Sequence, residues 1–239
     1  MKVILTLLFL GIILFCGWTG YKKGMIMGVG SLLIFIVSVY FANLLSTTFS
    51  GEVVDALLPF ASGYIETEVV DKIVRPALGI DLTNLSVRDF LAANPGKEEQ
   101  FCLLIFENMG IYESAAEQMA NESILYSQQF GWGIEESAVE ILCIRVAYAA
   151  GFALSFVMII IVLTAIVNMP NLSFKIPGFD TLNDISGAIL GVAQGFCLCL
   201  FIAWGLKFTG IIISQDILAD TGLVSWFMSR TVLVNILGI

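Results

Sequence analysis

The chain has 239 residues, 58% of them hydrophobic and only 13% charged, with a mean hydropathy of +0.94. That excludes an ordinary soluble domain, in which charged residues make up roughly a quarter. A net charge of −9 with no basic patch argues against a nucleic-acid partner, and the absence of histidine removes the commonest general base and the commonest zinc ligand.

Residues 3–18 form a 16-residue apolar run after Lys2, short for a membrane span and compatible in length with a signal peptide. The residues that close it, Gly17, Trp18, Thr19, Gly20, Tyr21 and Lys22, lack a small-x-small cleavage pattern, and Trp18 with Tyr21 reads as an interfacial aromatic belt. The run is therefore expected to stay as a first span. Lys22 and Lys23 separate it from a second run, 25–45, whose polar interruptions are Ser31, Ser38 and Asn43. So short a connection predicts a tight turn and an antiparallel hairpin. Gly20, Gly24 and Gly28 recur every four residues across it.

From 51 to 138 the character changes. This stretch holds 15 of the 20 acidic residues and 4 of the 11 basic ones, leaving it at net −11 and the rest of the chain at +2. Its apolar residues fall at helical spacing in short pieces. Ser86 three before Asp89 is a capping box, and Pro59, Pro76, Pro95, Gly79 and Gly110 punctuate the stretch. It reads as several short amphipathic helices, the most solvated over 112–130. The acidic residues at 113–122 read as a solvated face, because no carboxylate loop of calcium-site spacing is present.

Residues 141–167 are the third span, with Arg145 near its start expected to snorkel toward the headgroups. A connector, 168–184, leads to a fourth span in which residues 185–206 carry no charge. At about 1.5 Å per residue these cover about 33 Å, enough for a hydrocarbon core of about 30 Å. Thr181 three before Asp184 predicts a capping box at its start. Gly187, Gly191 and Gly195 share one face of it, a groove that permits close backbone approach in lipid, where burying apolar surface gives no drive for helices to associate. Docking is expected between this ladder and the glycines at the start of the second span. The tail, 207–239, mixes Trp226 and Phe227 with Arg230 and reads as an amphipathic helix at the interface, with a poorly formed fifth span as the alternative.

The predicted architecture is an all-α integral membrane protein with four transmembrane helices in two hairpins, 1–50 and 139–206. An acidic helical extracytoplasmic domain, 51–138, is inserted between them, and 207–239 follows as the C-terminal tail. Lys22 and Lys23 act as a cytoplasmic anchor, which places the first turn inside and the acidic stretch outside.

Gly20-Tyr21-Lys22-Lys23-Gly24 in the first turn, together with Leu182-Asn183-Asp184-Ile185-Ser186-Gly187 and the glycine ladder that follows, resembles the colicin V production protein family of bacterial inner-membrane proteins. The chain departs from that family in lacking an aspartate near the start of the first span and in the length of 51–138. The resemblance implies a bacterial plasma-membrane protein linked to toxin production or export and to envelope maintenance.

No nucleophile stands beside a base in sequence and no phosphate loop or metal motif is present, so neither an enzyme nor a cofactor is expected. Cys197 and Cys199, two apart, point to opposite sides of a helix, and the five cysteines imply no disulfide framework. The leading expectation is a membrane scaffold or export accessory, in contact with the lipid bilayer, that assembles with itself or with a membrane partner. The alternative is a small oligomeric channel or transporter lined by Ser38, Asn43, Asn183, Asp184 and Gln194.

Overall fold

The computed structural model describes residues 2–79, 86–168, 180–208 and 222–228. All the regular structure among them is helical. α1 is Lys2–Tyr64, continued by a π-helical segment, Ile65–Val74, and by α2, Arg75–Leu78; α3 is Val87–Ala93, α4 Glu98–Asn108, α5 Glu113–Phe130, α6 Ile134–Asn168, α7 Asp180–Leu206 and α8 Gly222–Met228. Three of these stretches, Val3–Leu78, Ile134–Val167 and Thr181–Leu206, are long and apolar enough to cross a membrane.

The chain divides into two compact units. The first comprises Met1–Ser46, Gly151–Leu206 and Asp216–Ile239, the second Thr47–Ala150 and Lys207–Gln215. α1 is broken at Gly24, whose φ of 75° and ψ of 179° lie outside helical space and in a region closed to residues with a side chain. Contacts with α7 give the sense of the two limbs. Going backward from Gly20 through Cys16 to Phe9, the first limb meets Gly187, Gly191 and then Cys199. Going forward from Gly28 through Ser31 to Phe35, the second limb meets Gly187, Gln194 and Phe201. The limbs are therefore antiparallel, and the whole reversal is concentrated at one residue.

α7 is the hub of the first unit. Its other side stacks aromatic rings: Phe201 lies 5.5 Å from Phe152 and 5.8 Å from Phe156 of α6, and Phe35 of the second limb closes the cluster at 5.5 Å from Phe156. α8 seats Phe227 against Phe9 at 5.6 Å and Phe196 at 4.9 Å. Of the tail 207–239, only Lys207, Phe208 and α8 fall within the described residues; of the connector 168–184, residues 169–179 fall outside them.

The unit carries a large apolar surface. Leu14, Leu154 and Ile189 are 63%, 71% and 65% exposed, while the interior sets Phe9, Phe35, Phe152 and Ala203 beside the buried polar residues Ser38, Ser46 and Asn183. An apolar outer face of this kind suits contact with lipid.

The second unit has a conventional core. In the π-helical segment, bonding from i to i+5 stacks residues five apart, so Ile65 over Val70 and Val69 over Val74 form one buried ridge. α4 contributes Phe101, Cys102, Ile105 and Phe106, and α5 meets them with Ala115, Ala116, Met119, Ala120 and Ser123. Ser86 caps α3, the Asp89 N–H donating to Ser86 Oγ at 3.1 Å, while the Asp89 carboxylate accepts from the Ser86 hydroxyl at 2.6 Å. Arg145 differs from its expected role as a headgroup anchor. It belongs to this unit, and its Nε donates to Glu122 Oε2 at 3.0 Å while Nη2 pairs with Oε1.

Candidate functional site

A close backbone contact lies where the Gly24 reversal meets the start of α7. A Cβ on Gly20 would fall on the Gly187 carbonyl oxygen and 2.9 Å from Gly191 Cα. One on Gly187 would strike the Gly20 carbonyl oxygen and stand 2.8 Å from Gly24 Cα; one on Gly191 would strike the Cys16 carbonyl oxygen. Each obstacle is backbone, which cannot rotate aside. Gly195 continues the seam, its Cβ position 3.0 Å from Ile13 Cα and from Cys16 Cβ. Gly17 on the first limb, not singled out by the four-residue rule, belongs to it too, with Val192 Cγ2 2.9 Å from its Cβ position.

The partner of the α7 ladder is thus mainly the first limb. From the second limb Gly28 approaches it, with Leu190 Cδ1 3.2 Å and Gly187 Cα 3.6 Å from its Cβ position. The reason is the reversal: Gly20, Gly24 and Gly28 lie before, at and after the bend, so they gather around Gly187 instead of lining one helix face.

Asn183 completes the turn. The Met25 N–H opens the second limb and has no carbonyl four residues back in its own helix, and it donates to Asn183 Oδ1 at 2.9 Å. The amide of a different element therefore caps this helix. α7 already includes Asp180, so Thr181 stands inside the helix and not before it, which displaces the capping box expected of Thr181 and Asp184; Thr181 is exposed and Asp184 half-buried.

The remaining polar positions separate into two groups. Ser31 Oγ is 2.8 Å from the Gly28 carbonyl oxygen and 3.0 Å from Gln194 Oε1, joining the second limb to α7. The pair borders a small cavity of about 70 Å³ with Lys23, Met27, Thr164 and Val167. Ser38 is fully buried, its Oγ without a hydrogen-bond partner, and Asn43 is half-buried. Of Ser38, Asn43, Asn183, Asp184 and Gln194, it is Gln194 that lines the small cavity. Of the two lysines, Lys22 is over the Trp18 ring, 5.1 Å from its centroid, and Lys23 lines the small cavity.

Comparison with protein-family models, with curated proteins and with solved structures finds no match to this chain. Among the described residues no group of three or more acidic or cysteine side chains could hold a metal ion.

Proposed function

We propose that the protein is a multi-pass membrane scaffold whose transmembrane core is assembled on α7 by glycine-mediated contact with the reversed hairpin of α1. The observation that carries this is the approach of Gly20, Gly187 and Gly191, where no side chain can be accommodated. Because α1 reverses at Gly24, its two limbs supply two crossings, and with α6 and α7 the chain makes four. The exposed apolar faces then meet lipid, and assembly with a second copy or a membrane partner uses the same surfaces. The finer reading, a bacterial inner-membrane protein of the colicin V production type serving toxin export and envelope maintenance, rests on the resemblance of the turn and the α7 motif alone.

The pathway alternative draws less support. Gln194, its strongest member, is hydrogen-bonded to Ser31 across a helix contact, and a cavity of about 70 Å³ has room for a few waters but is no channel.

The test compares Gly191→Leu with Gly30→Leu in the full chain expressed in membranes and extracted in mild detergent. Gly30 has nothing within 4 Å of its Cβ position. The Gly191 variant should lose the monodisperse folded species while the Gly30 variant keeps it; equal behaviour of the two would remove the contact from its role. Reconstituted protein should show no ion flux that Gln194→Leu abolishes.

A further inference from the structure

The second unit holds a cleft of about 500 Å³, bounded on one side by Leu58, Ile65 and Glu66 and on the other by Trp132 and the first turns of α6. Local structure explains its lining. The π-helical segment buries Ile65 and leaves the next residue, Glu66, at the cleft wall. α6 turns Ile134, Ala138 and Ile141 into the core, so Glu135, Glu136 and Glu140 are left for the cleft. α5 ends at Gly131 in the left-handed conformation, and the chain doubles back to place Trp132 against Tyr126, ring centroids 5.7 Å apart and nearly perpendicular. The Ser127 hydroxyl donates to the Trp132 carbonyl oxygen at 2.7 Å and fixes that turn. Burial, and then the Glu140 carboxylate, raise the Tyr126 phenol above its ordinary pKa, so the ring and the carboxylate are within electrostatic reach of each other.

The wall is thus a row of carboxylates beside an aromatic face, and its charges are not balanced from within. Burial, and then Glu66, raise the Glu135 carboxyl above its ordinary pKa; Arg75 acts in the opposite sense but is itself paired with Asp71 at 3.1 Å. Glu136 Oε2 accepts from the Gly133 N–H at 3.2 Å, but Glu140 Oε2 is closed off from water and has no hydrogen-bond partner. Burial, and then the Asp55 carboxylate, raise the Glu140 carboxyl above its ordinary pKa, so the cleft can present a neighbouring cation only with the other oxygen of this group. The carboxylates do not converge as metal ligands do. Dispersed charge alongside Trp132, Ile65 and Leu58 suits a large, weakly hydrated cation, whose charge meets the acids and the aromatic face while its hydrocarbon covers the apolar wall.

We propose that this cleft binds a small organic cation of the alkylammonium or quaternary ammonium class, held between the carboxylates of Glu135 and Glu140 and the ring of Trp132. The site is independent of the glycine contact and of any transmembrane role.

The test uses the full chain in maltoside detergent, which carries no ammonium headgroup. Choline and its neutral isostere 3,3-dimethylbutan-1-ol are compared by calorimetry and by tryptophan fluorescence. Choline should bind saturably and at least about tenfold more tightly than the isostere, and Glu140→Gln and Trp132→Ala should each weaken it about tenfold, a loss of about 1.4 kcal/mol. Magnesium at matched ionic strength should not displace it. Should Glu140→Gln fail to fold, Glu66→Gln serves as the second variant with the same expected direction. Equal binding of the isostere, displacement by magnesium, or absence of saturable choline binding would overturn the assignment. So would saturation by an oligolysine peptide without saturation by choline, which would give the cleft to a basic protein segment.

Discussion

Asn183, Arg145 and Lys207 each settle, as single side chains, a matter that residue type alone leaves open. Asn183 reads in sequence as one polar residue at a span mouth, yet it satisfies a backbone donor 158 residues away. Arg145 reads as an anchor for headgroups, yet it is bound in a two-point pair by Glu122. Removing the acid leaves a guanidinium that is only 16% exposed without its partner, so Glu122→Ala should destabilise by about 1–3 kcal/mol, read as a lower unfolding midpoint in detergent. Glu117→Ala, five residues earlier in the same helix and exposed, should not. Lys207 is buried and its Nζ donates to Ser114 Oγ at 3.1 Å. Burial lowers its pKa below the ordinary 10.5, so between the lowered folded value and about 10.5 the unfolded chain binds more protons than the folded one. Stability contributed by this group therefore rises with pH through that window. The rise should vanish in Lys207→Met when midpoints of the two proteins are compared over the same alkaline series; an unchanged slope would show the lysine to be solvated.

Among the elements, α1 and α7 depend on each other. The apolar runs 3–18 and 25–45, the lysines between them and the uncharged stretch 185–206 were all legible, because a lipid-crossing helix needs length and apolarity and both are local properties. Which limb α7 packs against was not. The four-residue glycine spacing is a rule about one continuous helix, and the reversal at Gly24 interrupts it, so the ladder closes on Cys16 and Gly20. Gly24 itself is constrained twice, by φ of 75° and by Asn183 Nδ2 at its Cβ position. Gly24→Ala should therefore cost about 1–3 kcal/mol. Gly51→Ala, in the same helix with open space around it, should be neutral or slightly stabilising. Equal midpoints for the two variants would mean the turn is not formed. α5 was legible as a polar helix but its buried face was not, because Ala115, Ala116, Ala120 and Ser123 are too small to register as a hydrophobic stripe.

For the molecule as a whole, the proposed four crossings carry a prediction: if each limb of α1 crosses the membrane, the Lys22–Lys23 turn and the acidic stretch lie on opposite sides of it. In a background with the five native cysteines replaced, Lys22→Cys and Glu113→Cys should react with an impermeant maleimide from opposite faces, the second from outside. Labelling of both from one face would remove the four-crossing arrangement. What the sequence by itself determined is the solvent and the elements: too few charges for water, runs long enough for lipid, and helices, with short ones in the acidic middle over 87–130, although the first part of that middle continues α1 through Pro59 into the π-helical segment. The tertiary structure alone decided the contacts. It chose the limb that fills the α7 groove, the donor that Asn183 caps and the ion pair that holds Arg145, and it left a row of carboxylates beside Trp132 along one wall of a cleft. Composition and periodicity report what each residue does to its own helix, whereas these pairings join residues up to 190 positions apart, whose proximity exists only once the chain has folded.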